Sequence, residues 1–345
     1  MERPTIRDIA EVAGVSPSAV SFALNGRPGV SDSTRSRVVA VANQMGWTPN
    51  AAARALSASR AGAVGLVIAR PSHAVAAERF FFEFIVGMQG ELAVDGLALV
   101  LQIVETTAEE IATYRSWWAQ RRVDGAVVVD PRSEDPRLAV LGELGLPYVL
   151  VGEPDAAGMP AVVGDDEGMM DIVLAHLIEQ RRARIAYVSG AAGVMHNARR
   201  TNALSASGRR EGVEIMVVQA PDYSERSGAQ ATAELIGSRR VPDAIIYDNE
   251  VLAVGGLSVL KQAHKDIASG MAVISLEDSA VLRVLSPDVT AIHREPGEMG
   301  QTAAGLLRAY LSDGISRTVR LATPALVVRA SSTSAGRTSD VLATS

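Results

Sequence analysis

Side chains that could perform acid–base or metal chemistry are scattered along the chain. The five histidines show no metal-ligand spacing. The chain contains no GxSxG turn to present a serine nucleophile and no P-loop to cradle a phosphate. The SGAAG segment at residues 189–193 has too few glycines for a dinucleotide site. These patterns predict that the protein is not an enzyme and that it uses no cofactor or metal. The histidines are His73, His176, His196, His264 and His293.

Three consecutive carboxylates, Asp165, Asp166 and Glu167, form the densest acidic group near the middle of the chain. They follow a short apolar run and precede a segment with helical spacing. Negative side chains are favoured at a helix N-terminus, where backbone N–H groups are unpaired. We therefore expect these residues to begin a helix and not to act as an acid–base pair.

Composition limits the classes that remain. A chain of 345 residues suits two or three domains. It has no cysteine and no apolar run long enough to span a membrane, so we expect a cytoplasmic, nucleoid-associated protein without a membrane partner. Residues 1–60 carry a net charge of about +3, which leaves about −9 for the rest of the total of −6. Attraction to nucleic acid is therefore expected only at the N-terminus.

The N-terminal segment reads as three short helices joined by tight turns. Thr5 can cap the first helix with Asp8 three residues on, and Ser16 and Ser31 can cap the next two. Gly14, the Asn25–Gly26 pair and Gly46 can end the three helices. This arrangement is a helix-turn-helix, whose second helix fits the DNA major groove. The apolar faces consist of Ile6, Ile9, Ala10 and Ala13, then Val20, Ala23 and Leu24, then Val38, Val41, Ala42 and Met45.

The chain resembles the lactose/galactose-repressor (LacI-type) family of bacterial transcription factors. The resemblance begins with TIRDIAEVAGVS at residues 5–16 and continues with ALN at 23–25 and VSDSTRSRV at 30–38. GWTPN at 46–50 and AAARALS at 51–57 follow in the same order. It extends over about residues 3–330. It implies a homodimeric repressor of a pseudo-palindromic operator in double-stranded DNA, with an affinity set by a small-molecule effector.

The resemblance also implies a hinge helix at residues 50–60, after a DNA-binding domain at residues 1–49. Asn50 can cap a helix over Ala51 to Ala58, which is too short to be stable alone. In the family this helix folds when two copies pack in the minor groove and each inserts a leucine, here Leu56. Docking of Leu56 on the core is the alternative. The residues expected to contact DNA are Thr5, Ser16, Pro17, Ser18, Ser21, Phe22, Asn25, Asn50, Ala53, Arg54 and Leu56.

Phe22 departs from the family, whose members commonly carry arginine at this position of the recognition helix. Arginine donates two hydrogen bonds to guanine, whereas a phenyl ring can only cover a thymine methyl group. We therefore predict an A·T pair opposite Phe22. Packing of Phe22 against the third helix is the alternative.

From residue 61 to residue 330, apolar runs alternate with helical segments. Such a pattern predicts buried parallel sheets covered on both faces. Two sets of four runs suggest two doubly wound lobes that break near Gly164 and Asp165, and ligands bind at the carboxyl ends of such strands. The fold class is therefore α/β with an all-α N-terminal head and two lobes resembling periplasmic binding proteins of type I. The eight runs are residues 63–69, 97–103, 125–130, 147–152, 184–189, 213–218, 243–248 and 272–276.

In that family fold the chain crosses between the lobes near residues 291 and 322. The N-lobe would then hold about residues 61–163 and 291–321, and the C-lobe about residues 164–290 and 322–330. Residues 331–345 are rich in Ser and Thr and are expected to form a disordered tail. They lack the leucine heptads that make some relatives tetramers, which favours a dimer.

The resemblance places candidate effector contacts at the strand ends. Phe80 and Phe81 match positions that stack on the ligand, with packing in the core as the alternative. Arg200 matches the ligand-binding arginine, although Arg199 or a surface ion pair could explain the pattern. Asn249 matches a polar contact, and His196 falls in a loop facing the cleft. Glu277 stands where relatives carry aspartate, with helix capping by Glu277 and Asp278 as the alternative.

Four departures argue against a simple monosaccharide without excluding a sugar or glycoside. Gly152 stands where some relatives have a carboxylate, and Pro296 stands where some have an aromatic residue. Ala203 replaces a usual glycine, and residues 180–182 replace a usual Gly-His turn.

The mechanism implied by the family is a population shift. An effector that prefers one lobe arrangement changes the hinge spacing and so the affinity for DNA, with induction favoured over corepression. A DNA-binding regulator that responds to no effector is the alternative function.

Overall fold

The computed structural model describes residues 4–24, 26–47, 60–154, 158–267 and 269–333. The chain divides into two units, residues 1–61 and residues 62–345. No helix within the described ranges is both long enough and apolar enough to cross a membrane.

The described part of the first unit contains three helices, α1 (Ile6–Ala13), α2 (Pro17–Leu24) and α3 (Asp32–Gln44). Thr5 and Asp8 form the expected capping box, in which each side chain bonds the other residue's N–H. Ser16 accepts from the Ala19 N–H at 3.2 Å, and Ser31 caps α3. The predicted start signals are therefore confirmed.

One small apolar core joins these three helices. It consists of Ile9, Ala10, Ala13, Val20, Ala23, Val38 and Ala42. The helical spacing assigned Ile6 to the buried face. This prediction is wrong, because the Ile6 side chain is exposed at the first turn of α1. Leu24, Val41 and Met45 pack only partly buried at the edge of the core.

The second unit contains two six-stranded sheets, each of which defines a lobe. The N-lobe sheet has the order β2-β1-β3-β4-β5-β11, and every pairing is parallel. Its strands are β1 (Ala63–Ala69), β2 (Ala98–Val104), β3 (Gly125–Val128), β4 (Tyr148–Val151), β5 (Ala161–Val163) and β11 (Thr318–Arg320). Its helices are α4 (Ser72–Ala77), α5 (Arg79–Ala93), α6 (Thr107–Ala119), α7 (Pro136–Leu144) and α13 (Pro296–Asp313).

The C-lobe sheet repeats this order as β7-β6-β8-β9-β10-β12, with only β12 antiparallel to its neighbour. Its strands are β6 (Arg184–Ser189), β7 (Glu214–Gln219), β8 (Ala244–Tyr247), β9 (Ala272–Ser275), β10 (Thr290–His293) and β12 (Ala325–Val327). Its helices are α8 (Asp166–Glu179), α9 (Met195–Glu211), α10 (Glu225–Gly237), α11 (Glu250–Gln262) and α12 (Ala280–Val284), and a 3-10 turn covers Ala330–Ser332.

Side chains alternate between the two faces of each central strand. In β1, Val64, Leu66 and Ile68 pack against α5 and α13, whereas Val67 packs against Trp117 of α6 on the other face. Both faces of this central strand are therefore covered, as its continuous apolar run predicts, whereas the edge strand β2 is largely exposed. The predicted α/β class, with an all-α head and two doubly wound lobes, is confirmed.

The chain returns to the N-lobe through α13, which packs closely on α5. A Cβ atom at Gly300 would lie 2.1 Å from the carbonyl oxygen of Phe84, so only glycine permits this approach. The second crossing follows β11, after which β12 joins the C-lobe sheet.

Two details of the expected organisation are corrected. Each sheet has six strands and not four, because the short strands β5, β10, β11 and β12 lie where the chain crosses between lobes or ends. Ser331 and Ser332, assigned to the disordered tail, are fully buried. The Ser331 hydroxyl donates to the Val273 carbonyl at 2.6 Å, and Ser332 lies 2.7 Å from His176. Residues 334–345 lie outside the described residues.

Candidate functional site

A cavity lies where the carboxyl ends of the two sheets face each other. In each lobe the strand order reverses at one point, between β1 and β3 in the N-lobe and between β6 and β8 in the C-lobe. Arg70 follows β1, Asp130 follows β3, and Asp248 and Asn249 follow β8. Ligands bind at such reversal points in open parallel sheets. This interlobe cavity encloses about 650 Å³, part of which is open to solvent.

Five of the six predicted effector contacts line the interlobe cavity. They are Phe80, His196, Arg200, Asn249 and Glu277. The sixth, Phe81, is only 1% exposed and packs in the N-lobe core with Phe84 and Met88. The position of Phe81 therefore supports the alternative interpretation, which is packing in the core.

Arg200 is buried between two carboxylates. Its Nε donates to Asp166 at 2.9 Å and its Nη1 donates to Asp248 at 2.8 Å. Tyr187 donates a further hydrogen bond to Asp248. The Arg200 guanidinium lowers the pKa of Asp248 against the opposing effect of burial, so that this carboxylate stays charged. Arg200 therefore organises the C-lobe wall of the cavity, and the alternative interpretation, an ion pair on the surface, does not describe it.

Neighbouring Arg199 lies closer to solvent. Its guanidinium is 3.4 Å from Glu153 and 3.7 Å from Asp166. Of the two adjacent arginines, Arg200 is the one that reaches the interlobe cavity.

Asn249 combines a structural bond with an unused donor. Its Oδ1 accepts from the Leu252 N–H at 2.9 Å and so caps α11. Its side chain is only 3% exposed, and among the described residues its Nδ2 has no hydrogen-bond partner. A buried donor without an acceptor is unfavourable. The Nδ2 group is therefore placed to donate to a ligand oxygen.

Glu277 belongs to a group of buried carboxylates that includes Glu78 and Glu250. Its Oε1 accepts from Arg294 at 2.9 Å. Burial raises the pKa of Glu277 to about 8, and the nearby Glu250 and Glu78 add to this rise against the effect of Arg294. Burial likewise raises the pKa of Glu78 to about 7, although Arg70 opposes it. Near neutral pH Glu277 therefore holds a proton most of the time, and Glu78 holds one about half of the time.

The alternative role for Glu277, helix capping together with Asp278, is wrong. Ser279 caps α12 by accepting from the Leu282 N–H. Asp278 instead accepts two hydrogen bonds from Arg329, at 2.9 and 2.7 Å. By contrast, the expected capping role of Asp165 is confirmed, because it accepts from the Gly168 N–H at 2.9 Å.

His196 connects the two lobes without carrying a charge. Its Nε2 lies 3.3 Å from the Tyr223 hydroxyl, and its Nδ1 lies 3.9 Å from Asp130 of the N-lobe. Burial, followed by the nearby Arg200, lowers the pKa of His196 to about 4. A neutral imidazole can donate or accept one hydrogen bond at each nitrogen, depending on the tautomer.

Arg70, Glu78 and Tyr223 also line the cavity, and the sequence patterns did not single them out. Arg70 donates to Glu78 at 2.8 Å and to Asp130 at 2.7 Å. Its guanidinium carbon lies 4.2 Å from the centre of the Tyr223 ring in the opposite lobe. Arg70 directly follows β1 at the strand-order reversal, and that position is the signal that could have identified it.

Phe80 supplies an apolar surface at one side of the cavity. Its ring stacks on Phe84 at 5.8 Å between centroids, and the Arg294 guanidinium lies 5.3 Å from its centre. A half-buried aromatic face beside carboxylates and an amide suits a molecule with both apolar faces and hydroxyl groups. No group of His, Cys, Asp or Glu among the described residues could hold a metal ion.

The first unit presents a second candidate surface, at the N-terminal end of α2. Ser16, Pro17 and Ser18 are exposed there, and Ser21 is half-buried. Phe22 is 38% exposed, with its ring beside Gly29 in the following loop. Thr5 is exposed at the start of α1. The remaining predicted DNA contacts, Asn25, Asn50, Ala53, Arg54 and Leu56, lie outside the described residues.

Arg35 of α3 fixes the loop that follows this helix, a role not foreseen from the sequence. Its guanidinium donates to the carbonyls of Ala23 and Arg27, both at 2.9 Å. It thereby satisfies one carbonyl at the C-terminal end of α2, where carbonyls lack partners within the helix, and one carbonyl in the following loop.

Two family models match the chain. The model for bacterial regulatory proteins of the lacI family matches residues 5–50, and that for a periplasmic binding protein-like domain matches residues 174–332. The HTH-type transcriptional regulator CelR of Thermobifida fusca is 29% identical over 328 residues, covering 92% of this chain and 95% of that protein.

Solved structures agree with this similarity. The structure described as a complex of the transcriptional regulator CelR with cellobiose has a TM-score of 0.73 and 27% identity, over 95% of this chain and all of that chain. The lac repressor dimer bound to operator and the anti-inducer ONPF has a TM-score of 0.84 at 20% identity, over 96% of this chain and all of that chain. The second similarity concerns the fold alone.

Proposed function

Because this chain belongs to the lacI family of bacterial regulatory proteins, we propose that it represses transcription as an effector-controlled homodimer. It binds a pseudo-palindromic DNA operator, and a small hydroxylated molecule in the interlobe cavity sets its affinity for that operator. The observation that carries the proposal is the convergence of Arg200, Asn249 and Glu277 on one cavity at the strand-order reversals.

Operator recognition is assigned to the exposed N-terminal end of α2. Ser16, Pro17 and Ser18 lie there, and a recognition helix contacts base edges through this end. Ser21 and Phe22 follow further along the same helix. Thr5 and Asn25 would contact the flanking DNA. Asn50, Ala53, Arg54 and Leu56 would form the hinge contacts, with Leu56 as a wedge in the minor groove. The modest positive charge of residues 1–60 supports the need for two heads on one operator.

Exposed apolar side chains in the N-lobe support the homodimer. Phe82 is 71% exposed, and Val86 lies one turn further along the same face of α5. Leu101 and Ile103 are exposed on β2, the edge strand of the N-lobe sheet. Exposed apolar groups on a helix and on an unpaired strand edge favour association with a second copy. A two-fold dimer in turn requires two half-sites in the operator.

The effector is assigned to the saccharides or glycosides. Carboxylates and the Asn249 amide can bond several hydroxyl groups, and the Phe80 ring can cover an apolar sugar face. CelR, the relative described above, has a structure in complex with cellobiose. A regulator without an effector is the other candidate, but an effector oxygen would give the buried Asn249 Nδ2 an acceptor that no described residue supplies.

Control of DNA binding would follow from two lobe arrangements with different hinge spacing. In the arrangement described here, the lobes touch through the backbone of Pro131 and Met195, whose oxygen and nitrogen are 2.8 Å apart. A ligand that favours one arrangement shifts the equilibrium only by its difference in affinity for the two. Coupling of this kind typically amounts to about 1–3 kcal/mol.

The test begins with binding-site selection on random DNA, which should return a near-palindrome bound by two chains. Unfolding temperature is then measured against a panel of saccharides that starts with cellobiose and includes monosaccharides and disaccharides. At least one should raise the unfolding temperature and change the operator affinity. DNA binding without a response to any saccharide would favour the effector-independent regulator.

A further inference from the structure

One short segment, residues 129–135, both lines the interlobe cavity and joins the two lobes. Val129 and Asp130 face the cavity. The Pro131 carbonyl accepts from the Met195 N–H of the C-lobe at 2.8 Å. Arg132 forms an isolated antiparallel β-bridge with Val194. The position of this segment therefore affects the cavity wall and the closed lobe arrangement together.

Two residues of this segment have an unfavourable backbone conformation. Asp130 and Glu134 both have φ of 50°, in the left-handed region that side chains other than glycine rarely adopt. A residue other than glycine keeps such a φ angle only when the surrounding structure holds it there. An external group must therefore stabilise the segment.

Arg137 is that group. Its guanidinium donates to the Val129 carbonyl at 3.0 Å and to the Asp130 carbonyl at 2.8 Å. It also binds Asp135, with its Nε and Nη2 at 2.9 and 2.6 Å from the carboxylate oxygens. The Asp135 carboxylate accepts from the Arg132 N–H at 3.1 Å. Arg137 thus holds both ends of the segment that bridges the lobes.

A buried carboxylate behind the segment fixes Arg137 itself. Both oxygens of Glu110 lie 3.0 Å from its Nη1, and the Tyr114 hydroxyl donates to Glu110 at 2.7 Å. Arg137 is only 2% exposed, and it is not among the described residues that line the cavity. A planar guanidinium with five donors can make all these bonds, whereas a lysine ammonium has three donors and no fork.

We propose that Arg137 is a positioning residue, which holds residues 129–135 in the register that presents Asp130 to the effector and joins the lobes. The proposal rests on the proposed function for its effector, but the lobe contact itself needs none. Loss of the two carbonyl bonds would let Asp130 withdraw from Arg70 and His196. The lobes would then close less often, although no ligand contact had been removed.

The chain contains no cysteine, so a pair of introduced cysteines can report lobe closure. Arg132→Cys and Val194→Cys place thiols on two bridged residues of opposite lobes. Directly opposed residues in antiparallel pairing have Cβ atoms close enough for a disulfide. The rate of disulfide formation in oxidised glutathione is measured with and without Arg137→Lys, in the absence of DNA and saccharide.

Arg137→Lys should slow disulfide formation about tenfold, the effect expected for losing a charge-assisted hydrogen bond. Arg329→Lys is the matched control, because the half-buried Arg329 likewise binds a carboxylate, that of Asp278, and a backbone carbonyl, that of Val289. It should lower the unfolding temperature as Arg137→Lys does but leave the disulfide rate unchanged. Equal rates in all three proteins, or equal slowing by both substitutions, would overturn the proposal.

If Arg137→Lys does not fold, Glu110→Gln is measured in the same way. It keeps the volume of the side chain but weakens one anchor of the guanidinium, so the disulfide should form several-fold more slowly. A rate equal to that of the unsubstituted cysteine pair would contradict the positioning role. Because neither DNA nor saccharide is present, failure of the proposed function would leave this result unchanged.

Discussion

The Asn249 side chain caps α11 by accepting a hydrogen bond from the Leu252 N–H at 2.9 Å, and the same residue lines the interlobe cavity. One side chain therefore has two separable roles. The oxygen stabilises the helix, and we propose that the nitrogen, which is buried and without a partner among the described residues, donates to the effector.

Replacing Asn249 with serine should separate these roles. Serine is a comparable N-cap, so the unfolding temperature of Asn249→Ser should stay close to that of the unsubstituted protein. Affinity for the saccharide should fall about three- to tenfold, the effect of one lost hydrogen bond. Calorimetric titration measures this affinity, with Thr106→Ser at the N-cap of α6 as the control. Unchanged affinity for the saccharide would remove Asn249 from the effector site.

The buried carboxylates of the cavity predict a loss of stability as pH rises. The pKa of Glu277 is raised to about 8 and that of Glu78 to about 7, so the native protein holds protons that the unfolded chain releases above its ordinary glutamate pKa of 4.5. Their contribution is complete below pH 4.5 and is lost as pH rises to about 8. Each proton should lower the free energy of unfolding by up to about 1.4 kcal/mol per pH unit in this range.

Chemical denaturation at pH 6, 7 and 8 tests this dependence. Glu277→Gln removes one titrating group and should flatten the decline between pH 6 and 8. Glu143→Gln, at an exposed position on α7, is the control and should leave the slope unchanged. Equal slopes in the unsubstituted protein and Glu277→Gln would show that Glu277 does not bind the proton.

The hinge prediction concerns Leu56, which lies outside the described residues. Leu56→Ala should leave the fold and the dimer intact but weaken operator binding by about tenfold or more, because the unstacked base step loses its wedge. Leu56→Met retains a long apolar side chain and should bind nearly as tightly as the unsubstituted protein. Electrophoretic mobility shift measures both, and an affinity of Leu56→Ala within about twofold of the unsubstituted protein would remove Leu56 from the DNA interface.

Phe22 predicts an unusual base preference. Its ring lies partly exposed on α2 beside Gly29, so it is neither fully buried in the core nor free of it. The operator half-site should carry an A·T pair opposite this residue. Phe22→Arg should shift the preference to guanine at that position by about 1–3 kcal/mol. Binding-site selection with both proteins decides the matter, since identical motifs would mean that Phe22 does not face the bases.

Local patterns in the sequence were sufficient to predict many of the strands and helices of the fold. The continuous apolar run at residues 63–69 matches the bounds of β1, because a buried parallel strand leaves no polar position in the run. The run at residues 184–189 matches β6, with Arg184 and Ser189 at its two ends. The strands β5, β11 and β12 have only three residues each and follow no periodic pattern. Their pairing depends on the crossings between lobes, which local patterns do not encode.

Sequence patterns identified several residues of the site one by one, but they did not predict the hydrogen bonds and ion pairs that connect these residues. Arg200 was expected at the cavity, whereas its two partners Asp166 and Asp248 follow only from the fold. This has a practical consequence, since Arg200→Ala would leave the buried Asp248 without its ion-pair partner and cost about 3–5 kcal/mol. Likewise, no spacing rule brings Arg70 to Tyr223, because they lie in different lobes.

The central claim is that a ligand in the interlobe cavity changes the affinity for the operator. Operator dissociation constants are measured by fluorescence anisotropy without ligand and with the saccharide that raises the unfolding temperature, at saturating concentration. The account predicts a change of about 5- to 150-fold, the range typical of coupling between two sites. An operator dissociation constant that stays the same while the saccharide is bound would contradict it.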